Sequence, residues 1–203
     1  NQFDTIYHEH FFYFSLTSSE RIFAAHGLTL FDVEELPTHG GSLRIYGHHA
    51  EDKTHSVTER YRELVQREKA AGVERLDTYA TFAEKVKETK RKLLEFLIEA
   101  KRKGKTIAGY GAPGKGNTLL NYCGVRNDFV DYTVDRNTYK QGKFLPGTHI
   151  PIFPPEKIRE TKPDHVVILP WNQKDEIMHQ VGYIREWGGQ FIDPIQEVRV
   201  NSL

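Results

Sequence analysis

The alternation of short apolar strands with helices after Lys105 constrains the fold of this chain more than any other feature. Strands are predicted at 106–110, 132–135, 149–152, 165–169 and 189–192, and helices at 117–123, 154–159 and 174–187. A helix between two strands carries the chain back to the starting edge, so that the strands pair in parallel. This part of the chain is therefore predicted to be an α/β domain with a Rossmann-like parallel sheet.

The part before Lys105 predicts a hairpin and then helices. The predicted elements are a short strand within 1–14, a helix at 18–26, strands at 28–36 and 42–46, and helical runs at 57–72 and 78–103. Thr17 or Ser18 is expected to cap the first helix, and Gly27 follows its end. The glycine pair Gly40-Gly41 between two alternating runs is typical of a β-hairpin turn.

Composition excludes several classes of protein. The 28 basic and 28 acidic residues balance, so no global charge indicates nucleic acid or a membrane surface as a partner. No run approaches the roughly 20 apolar residues of a membrane span, and no signal peptide is found. The single cysteine, Cys123, is expected to be a buried, inert thiol in a reducing cytoplasm. Since Met178 is the only methionine, we expect a C-terminal fragment or a processed chain.

A glycine-rich turn follows the first predicted strand of the sheet. Residues 109–114 fit Gly-x-Gly-x-x-Gly, and Lys115 and Gly116 come next. Glycines let the backbone approach an anion, and a helix start offers unpaired N–H groups with a partial positive charge. Asp135 ends the next strand, where a ribose hydroxyl is met in dinucleotide folds. The alternatives are a tight turn that only packs strand on helix, and a site for either NAD or a sugar nucleotide.

Polar donors follow two other strands at the carboxyl edge of the predicted sheet, where open α/β sheets bind ligands. The stretch 135–142 is rich in them, with a solvated loop as the alternative. Trp171-Asn172 has the same edge position, with a capping loop that packs the tryptophan as the alternative. The residues predicted to bind substrate at this edge and in the glycine turn are Gly111, Ala112, Pro113, Lys115, Gly116, Asn117, Asp135, Arg136, Tyr139 and Lys140.

Four polar residues near the start of the chain, Tyr7, His8, Glu9 and His10, indicate a proton-transfer site. Histidine, with a free pKa of about 6.5, is the usual general base at neutral pH. Tyr7 and His10 meet if the chain makes one tight turn, and a phenol can donate to a developing oxyanion. A metal site at His8 and His10 and a purely structural polar cluster are the alternatives, and we predict no metal.

Seven motifs together resemble a known family. They are Phe3-Asp-Thr-Ile-Tyr-His-Glu-His10, Leu36-Pro-Thr-His-Gly-Gly-Ser-Leu-Arg44, Gly109-Tyr-Gly-Ala-Pro-Gly-Lys-Gly-Asn-Thr118, Leu119-Leu-Asn-Tyr-Cys123, Tyr139-Lys-Gln-Gly142, Leu145-Pro-Gly-Thr-His-Ile-Pro151 and Ile168-Leu-Pro-Trp-Asn172. The chain resembles the C-terminal part of sugar C-methyltransferases, which use S-adenosylmethionine (SAM) to methylate nucleotide-linked keto-deoxysugars. The family usually has alanine at position 114 and proline at position 138, where this chain has Gly114 and Thr138.

The resemblance implies that three segments of the chain have different roles. It implies that 1–49 end a SAM-binding methyltransferase domain, with 28–46 as a β-hairpin remnant of its sheet, that 50–104 form a helical connector, and that 105–203 bind the nucleotide sugar. It implies Tyr7, Glu9 and His10 as catalytic residues, with His10 as the base. SAM is expected mainly in an upstream domain and zinc in an N-terminal module, so this chain holds neither cofactor firmly.

The function implied is methylation of an NDP keto-deoxysugar, with dTDP as the expected nucleotide, in the cytoplasm. His10 would form an enolate that takes the methyl group of SAM, and the chain alone is expected to bind the sugar nucleotide without methylating it. An NAD-dependent oxidoreductase, supported by 109–114 and Asp135, is the first alternative. A non-catalytic nucleotide-sugar-binding module is the second.

Overall fold

A computed structural model describes residues 2–195 and 199–201 of the chain. The chain divides into two compact units: the central unit, Phe12–Phe82, and the sheet unit, which comprises the residues on either side of that segment. Each unit has an apolar core of its own. Among the described residues, none of the helices combines the length and the apolar content that a membrane span requires.

The central unit is a helix and a hairpin followed by a second helix. Its elements are α1 (Leu16–Ala25), β1 (Leu28–Leu36), β2 (Ser42–His49) and α2 (Glu59–Ala71). The strands β1 and β2 are antiparallel, from the pair Leu28–His49 to the pair Leu36–Ser42, which confirms the predicted hairpin. Leu30 and Val33 of β1 are buried with Leu16, Tyr61 and Leu64 from the two helices. Burial of these side chains holds the unit together.

Residues 2–15 differ from the prediction. The strand predicted within 1–14 is wrong, because the chain forms a 3-10 helix at Phe3–Thr5, closed by the bond from the Ile6 N–H to the Phe3 carbonyl. These local bonds use the backbone groups that a strand would offer to a neighbour. The cap of α1 is Ser15 rather than Thr17 or Ser18, since the Ser15 side chain accepts the Ser18 N–H in a capping box.

The sheet unit contains the predicted alternation. The chain continues through α3 (Leu76–Arg102), β3 (Ile107–Tyr110), α4 (Gly114–Cys123), β4 (Tyr132–Val134), β5 (Ile152–Phe153), α5 (Lys157–Thr161), β6 (His165–Ile168), α6 (Lys174–Gln180), β7 (Gln190–Asp193) and β8 (Arg199–Asn201). The strand order is β5-β4-β3-β6-β7-β8, in which the first five are parallel and β8 is antiparallel. The Rossmann-like α/β prediction is therefore confirmed.

Several elements depart from their predicted limits, and one strand was not predicted. The strand predicted at 149–152 begins only at Ile152, and the φ of 59° at His149, a left-handed conformation, lies outside the strand region. The helix predicted at 174–187 is interrupted at Val181 and continues as a 3-10 helix over Gly182–Trp187. The strand β8, which pairs antiparallel with β7, was not predicted.

The topology fixes where a ligand can bind. From β3 the chain moves to β4 on one side, and it later returns to β6 on the other side of β3. The order of the strands therefore reverses between β3 and β6. In open α/β sheets, the crevice at the carboxyl ends of such a strand pair binds ligands. The loops after β3, β4 and β6 meet at this edge and contain the predicted substrate-binding residues of the glycine turn and its neighbours.

Candidate active site

The glycine turn after β3 is shaped by contacts with the loop after β6. Gly111 has a φ of 87°, and a Cβ on it would lie 2.6 Å from Pro170 Cδ. A Cβ on Gly116 would lie 2.9 Å from Leu169 Cβ. Both distances are too short for any side chain, so the turn requires glycine at these two positions.

Gly114 differs from the other glycines of the turn. A Cβ there would meet only the Tyr7 ring, at an ordinary contact distance of 3.5 Å. The close packing of helix on strand, which the third glycine of a dinucleotide fingerprint provides, is supplied here by Gly116. The structure therefore accommodates the alanine that the resembled family has at position 114.

The start of α4 presents backbone donors at the carboxyl edge of the sheet. Pro113 is the N-cap and has no N–H, and no side-chain cap bond forms to the helix start among the described residues. The first intrahelical bond runs from the Asn117 N–H to the Pro113 carbonyl, at 3.2 Å. The N–H groups of Gly114, Lys115 and Gly116 therefore precede the helical ladder, in the arrangement that binds phosphate at helix N-termini.

Asp135 and Lys140 stabilise the glycine turn by hydrogen bonds to the Ala112 backbone. Asp135 Oδ2 accepts the Ala112 N–H at 2.8 Å, and Oδ1 accepts the Asn137 N–H at 2.8 Å. Lys140 Nζ donates to the Ala112 carbonyl at 2.9 Å and lies 3.3 Å from Asp135 Oδ2. Both carboxylate oxygens are therefore engaged with the protein, which disfavours the ribose contact expected of Asp135 in an NAD site.

Lys115 brings a full positive charge to the helix start. Its Nζ donates to Asn172 Oδ1 at 2.7 Å and lies 4.8 Å from the centre of the Trp171 ring. Burial lowers the Lys115 pKa from its ordinary value, and the Asp4 carboxylate partly opposes that shift. The residues Trp171 and Asn172, noted from sequence as an edge loop, are thus direct partners of the predicted phosphate-binding lysine.

The other predicted substrate-binding residues are less closely grouped. Arg136 lines a cavity of about 300 Å³ with Tyr110, Arg159 and Tyr183, and its guanidinium lies 3.8 Å from Glu176. Tyr139 is 84% exposed. The buried Asn117 Oδ1 has no hydrogen-bond partner among the described residues. Substrate contacts of these residues remain predictions.

The proton-transfer candidates lie on a tight turn. The His10 N–H donates to the Tyr7 carbonyl at 2.9 Å, and the two ring centroids are 4.3 Å apart, so the turn does bring the pair together. His10 Nδ1 lies 2.7 Å from the Thr5 carbonyl. Since a carbonyl only accepts, Nδ1 carries the proton in the neutral imidazole and the lone pair resides on Nε2. Sequence reasoning missed Thr5 as the group that orients the His10 ring.

This turn is anchored in the sheet unit by its first residues. The Phe3 ring packs edge-on against Tyr122 of α4, with centroids 5.1 Å apart. The buried Asp4 accepts the Trp171 indole N–H at 2.7 Å. With Tyr7 against Gly114, the turn lies over the start of α4. Asp4 was missed by sequence reasoning, although an acid directly after an apolar residue in a recognised motif was a usable signal.

The remaining candidates from the sequence are His8, Glu9, a metal site and Cys123. His8 and Glu9 are exposed. Within residues 2–195 and 199–201, no group of three or more His, Cys, Asp or Glu side chains is arranged to hold a metal ion. Cys123 is buried, as predicted, and burial raises its pKa to about 11, so the thiol stays protonated and unreactive at neutral pH.

Comparison with known proteins agrees with the sequence resemblance. Residues 37–196 match the family described as the C-methyltransferase C-terminal domain. The chain is also 41% identical over 202 residues to the C-methyltransferase NovU of Streptomyces niveus, a match that covers the whole of this chain and 48% of that relative. The chain thus spans about half the length of the relative it matches. A family match over most of its length places this chain in the C-methyltransferase C-terminal domain family.

Proposed function

We propose that this chain supplies the base and the nucleotide-sugar site of a C-methyltransferase that acts on an NDP keto-deoxysugar, with dTDP as the carrier. The observation that carries the proposal is that the Tyr7 ring lies against Gly114 at the start of α4, and that the His10 ring lies 4.3 Å from the Tyr7 ring, centre to centre. A general base and an anion-binding helix start then lie side by side. A sugar linked to a diphosphate needs such a pair, because its reactive carbon and its charged carrier are a few bonds apart.

The helix start holds the diphosphate in this proposal. The N–H groups of Gly114, Lys115 and Gly116 donate to phosphate oxygens, and the Lys115 ammonium adds charge. Asp135 and Lys140 contribute indirectly, because they fix the turn that aims these donors. A substrate held at its charged end loses much of its freedom, which reduces the entropic cost of bringing the sugar to the base.

His10 removes the proton from the carbon beside the keto group. The Thr5 carbonyl fixes the tautomer, so Nε2 takes the proton and the C–H electron pair moves into an enolate whose charge develops on the keto oxygen. The Tyr7 hydroxyl donates to that oxygen, and Glu9 is a further catalytic residue of the same turn. SAM, when bound, would supply the methyl group to the enolate carbon and leave as the neutral thioether S-adenosylhomocysteine. We place SAM and the zinc module in parts of the protein outside this chain.

The first alternative, an NAD-dependent oxidoreductase, is disfavoured by Asp135. A carboxylate that accepts two backbone N–H groups and an ammonium has little capacity left for a ribose hydroxyl pair. The second alternative, a non-catalytic binding module, would also use the helix start. It does not account for the hydrogen bond to Thr5 that orients the His10 ring. We infer a cytoplasmic setting from the single buried thiol.

Titration of the 203-residue chain with dTDP and with NADH tests the binding half of this proposal. Trp171 lies beside Lys115, so its fluorescence reports occupation of the helix start. We expect dTDP to change the emission and NADH to compete with it poorly. Tight NADH binding that dTDP cannot displace would restore the oxidoreductase. Binding of neither ligand would contradict the assignment of the helix start.

A further inference from the structure

The Asp4 carboxylate is buried, and burial of a carboxylate is energetically unfavourable. It is 1% exposed, and while its Oδ2 accepts the Trp171 indole N–H at 2.7 Å, its buried Oδ1 has no hydrogen-bond partner among the described residues. Burial raises the Asp4 pKa, against the effects of the Trp171 bond and the Lys115 charge. A buried acid with half of its acceptors unused destabilises a fold by itself, so its position calls for a further role.

Trp171 joins two groups that the proposed reaction uses. The edge of its indole donates to Asp4, one residue before Thr5, whose carbonyl fixes the His10 ring. The face of the same indole lies under the Lys115 ammonium, 4.8 Å from its centre. A carboxylate that accepts an indole N–H pushes electron density into the ring, which strengthens the attraction of the ring face for a cation.

We propose that Asp4 and Trp171 are positioning residues that hold the base-bearing turn, residues 3–10, in register with the diphosphate-binding lysine. Register here means a fixed position of the turn relative to Lys115. The inference rests on the proposed function, because the register matters only if His10 and Lys115 act on one substrate. Neither residue touches the reacting atoms. Their bond instead sets the distance between the two places where the substrate is held, and a displacement of about 1 Å at a reacting centre lowers a rate roughly 100-fold.

The experiment exploits the two tryptophans of the chain. Trp171→Phe keeps an aromatic face under Lys115 but removes the N–H that Asp4 accepts. Trp187→Phe is the matched control, because the Trp187 indole also donates one hydrogen bond, to the Pro163 carbonyl at 3.0 Å, away from Lys115 and Asp4. Each variant therefore loses one partly or fully buried indole donor, and only one of them loses the bond to the base-bearing turn.

Proton removal can be followed without SAM. In D₂O, a chain that forms the enolate incorporates deuterium at the carbon beside the keto group of a dTDP-linked keto-sugar, which NMR detects. We expect Trp171→Phe to lower this rate at saturating sugar nucleotide by at least about tenfold, with the dTDP Kd changed by less than about threefold. Trp187→Phe should retain both the parent rate and the parent Kd.

A second measurement needs no substrate. Amide hydrogen exchange reports the bonds that close the turn, from the Ile6 N–H to the Phe3 carbonyl and from the His10 N–H to the Tyr7 carbonyl. Trp171→Phe should lower protection at these two amides, and Trp187→Phe should not. Asp4→Asn keeps an acceptor for the indole and should retain most of the deuterium-incorporation rate, whereas Asp4→Ala should lose it.

The outcomes separate this inference from the proposed function. Equal incorporation rates and equal amide protection in Trp171→Phe and Trp187→Phe would overturn the positioning role while leaving His10 as the base. If the parent chain binds the dTDP-linked keto-sugar but incorporates no deuterium into it, the proposed base is overturned. The register that Asp4 and Trp171 are proposed to maintain is then overturned with it.

Discussion

The two halves of the proposed site are built in opposite ways. The anion-binding turn at 111–116 packs against the loop after β6, and two of its glycines have no room for a side chain. The base-bearing turn at 3–10 is closed by local backbone bonds, and its His8, Glu9 and His10 side chains are exposed. Packing therefore fixes the first half, while the second depends on a few anchors such as Phe3 and Asp4. Side chains added to the glycines of the first half should therefore affect stability, and mutations in the second half should affect chemistry.

The largest effect on stability is expected at Gly111. Gly111→Ala forces a Cβ to 2.6 Å from Pro170 Cδ at a φ of 87°, so both strain and overlap destabilise the chain, by about 3 kcal/mol or more. Urea unfolding measures the change. Gly114→Ala is the matched control and should shift the unfolding free energy by less than about 1 kcal/mol. Equal losses in the two variants would show that packing does not shape this turn.

Lys115 is expected to have a moderate effect, confined to binding. Lys115→Ala should weaken dTDP binding about tenfold, because one charge-assisted contact to phosphate is lost. The lowered Lys115 pKa adds a pH dependence: the ammonium is present at neutral pH and deprotonates as pH rises through that lowered pKa, so dTDP binding should weaken at alkaline pH. Titrations across this range in parent and variant check both points. An alkaline loss that persists unchanged in Lys115→Ala would assign the titration to another group.

The same division separates the features of the site that could be predicted from the sequence from those that could not. The parallel sheet, the glycine turn and Lys115 could be predicted, because alternation of strands and helices and the spacing of glycines have direct physical causes. The conformation of 3–10 could not, since its short apolar start also fits a strand, and the decisive bond to Trp171 joins residues 167 positions apart. The role of Gly116 was hidden for a similar reason, because Leu169, which lies close to it, is distant in sequence and follows β6.

A smaller effect is expected at the opposite end of β3. There Asp164 accepts hydrogen bonds from Lys105 and from the Thr106 N–H, which lower its pKa to about 2. Its stabilising effect is present above the unfolded pKa of about 4 and is lost as pH falls toward 2. Since the side chain is partly exposed, Asp164→Asn should cost about 1 kcal/mol at pH 7 and nothing near pH 2. The exposed Asp128, changed to Asn, should leave the urea midpoint unaltered at both pH values.

The central claim is that His10 is a base beside a diphosphate site. The most direct measurement compares deuterium incorporation beside the keto group of a dTDP-linked keto-sugar in His10→Asn and His8→Asn, two histidines on the same exposed turn. Our account predicts that His10→Asn lowers the rate about 100-fold or more with dTDP affinity unchanged, and that His8→Asn retains the parent rate. A parent-like rate in His10→Asn would contradict it.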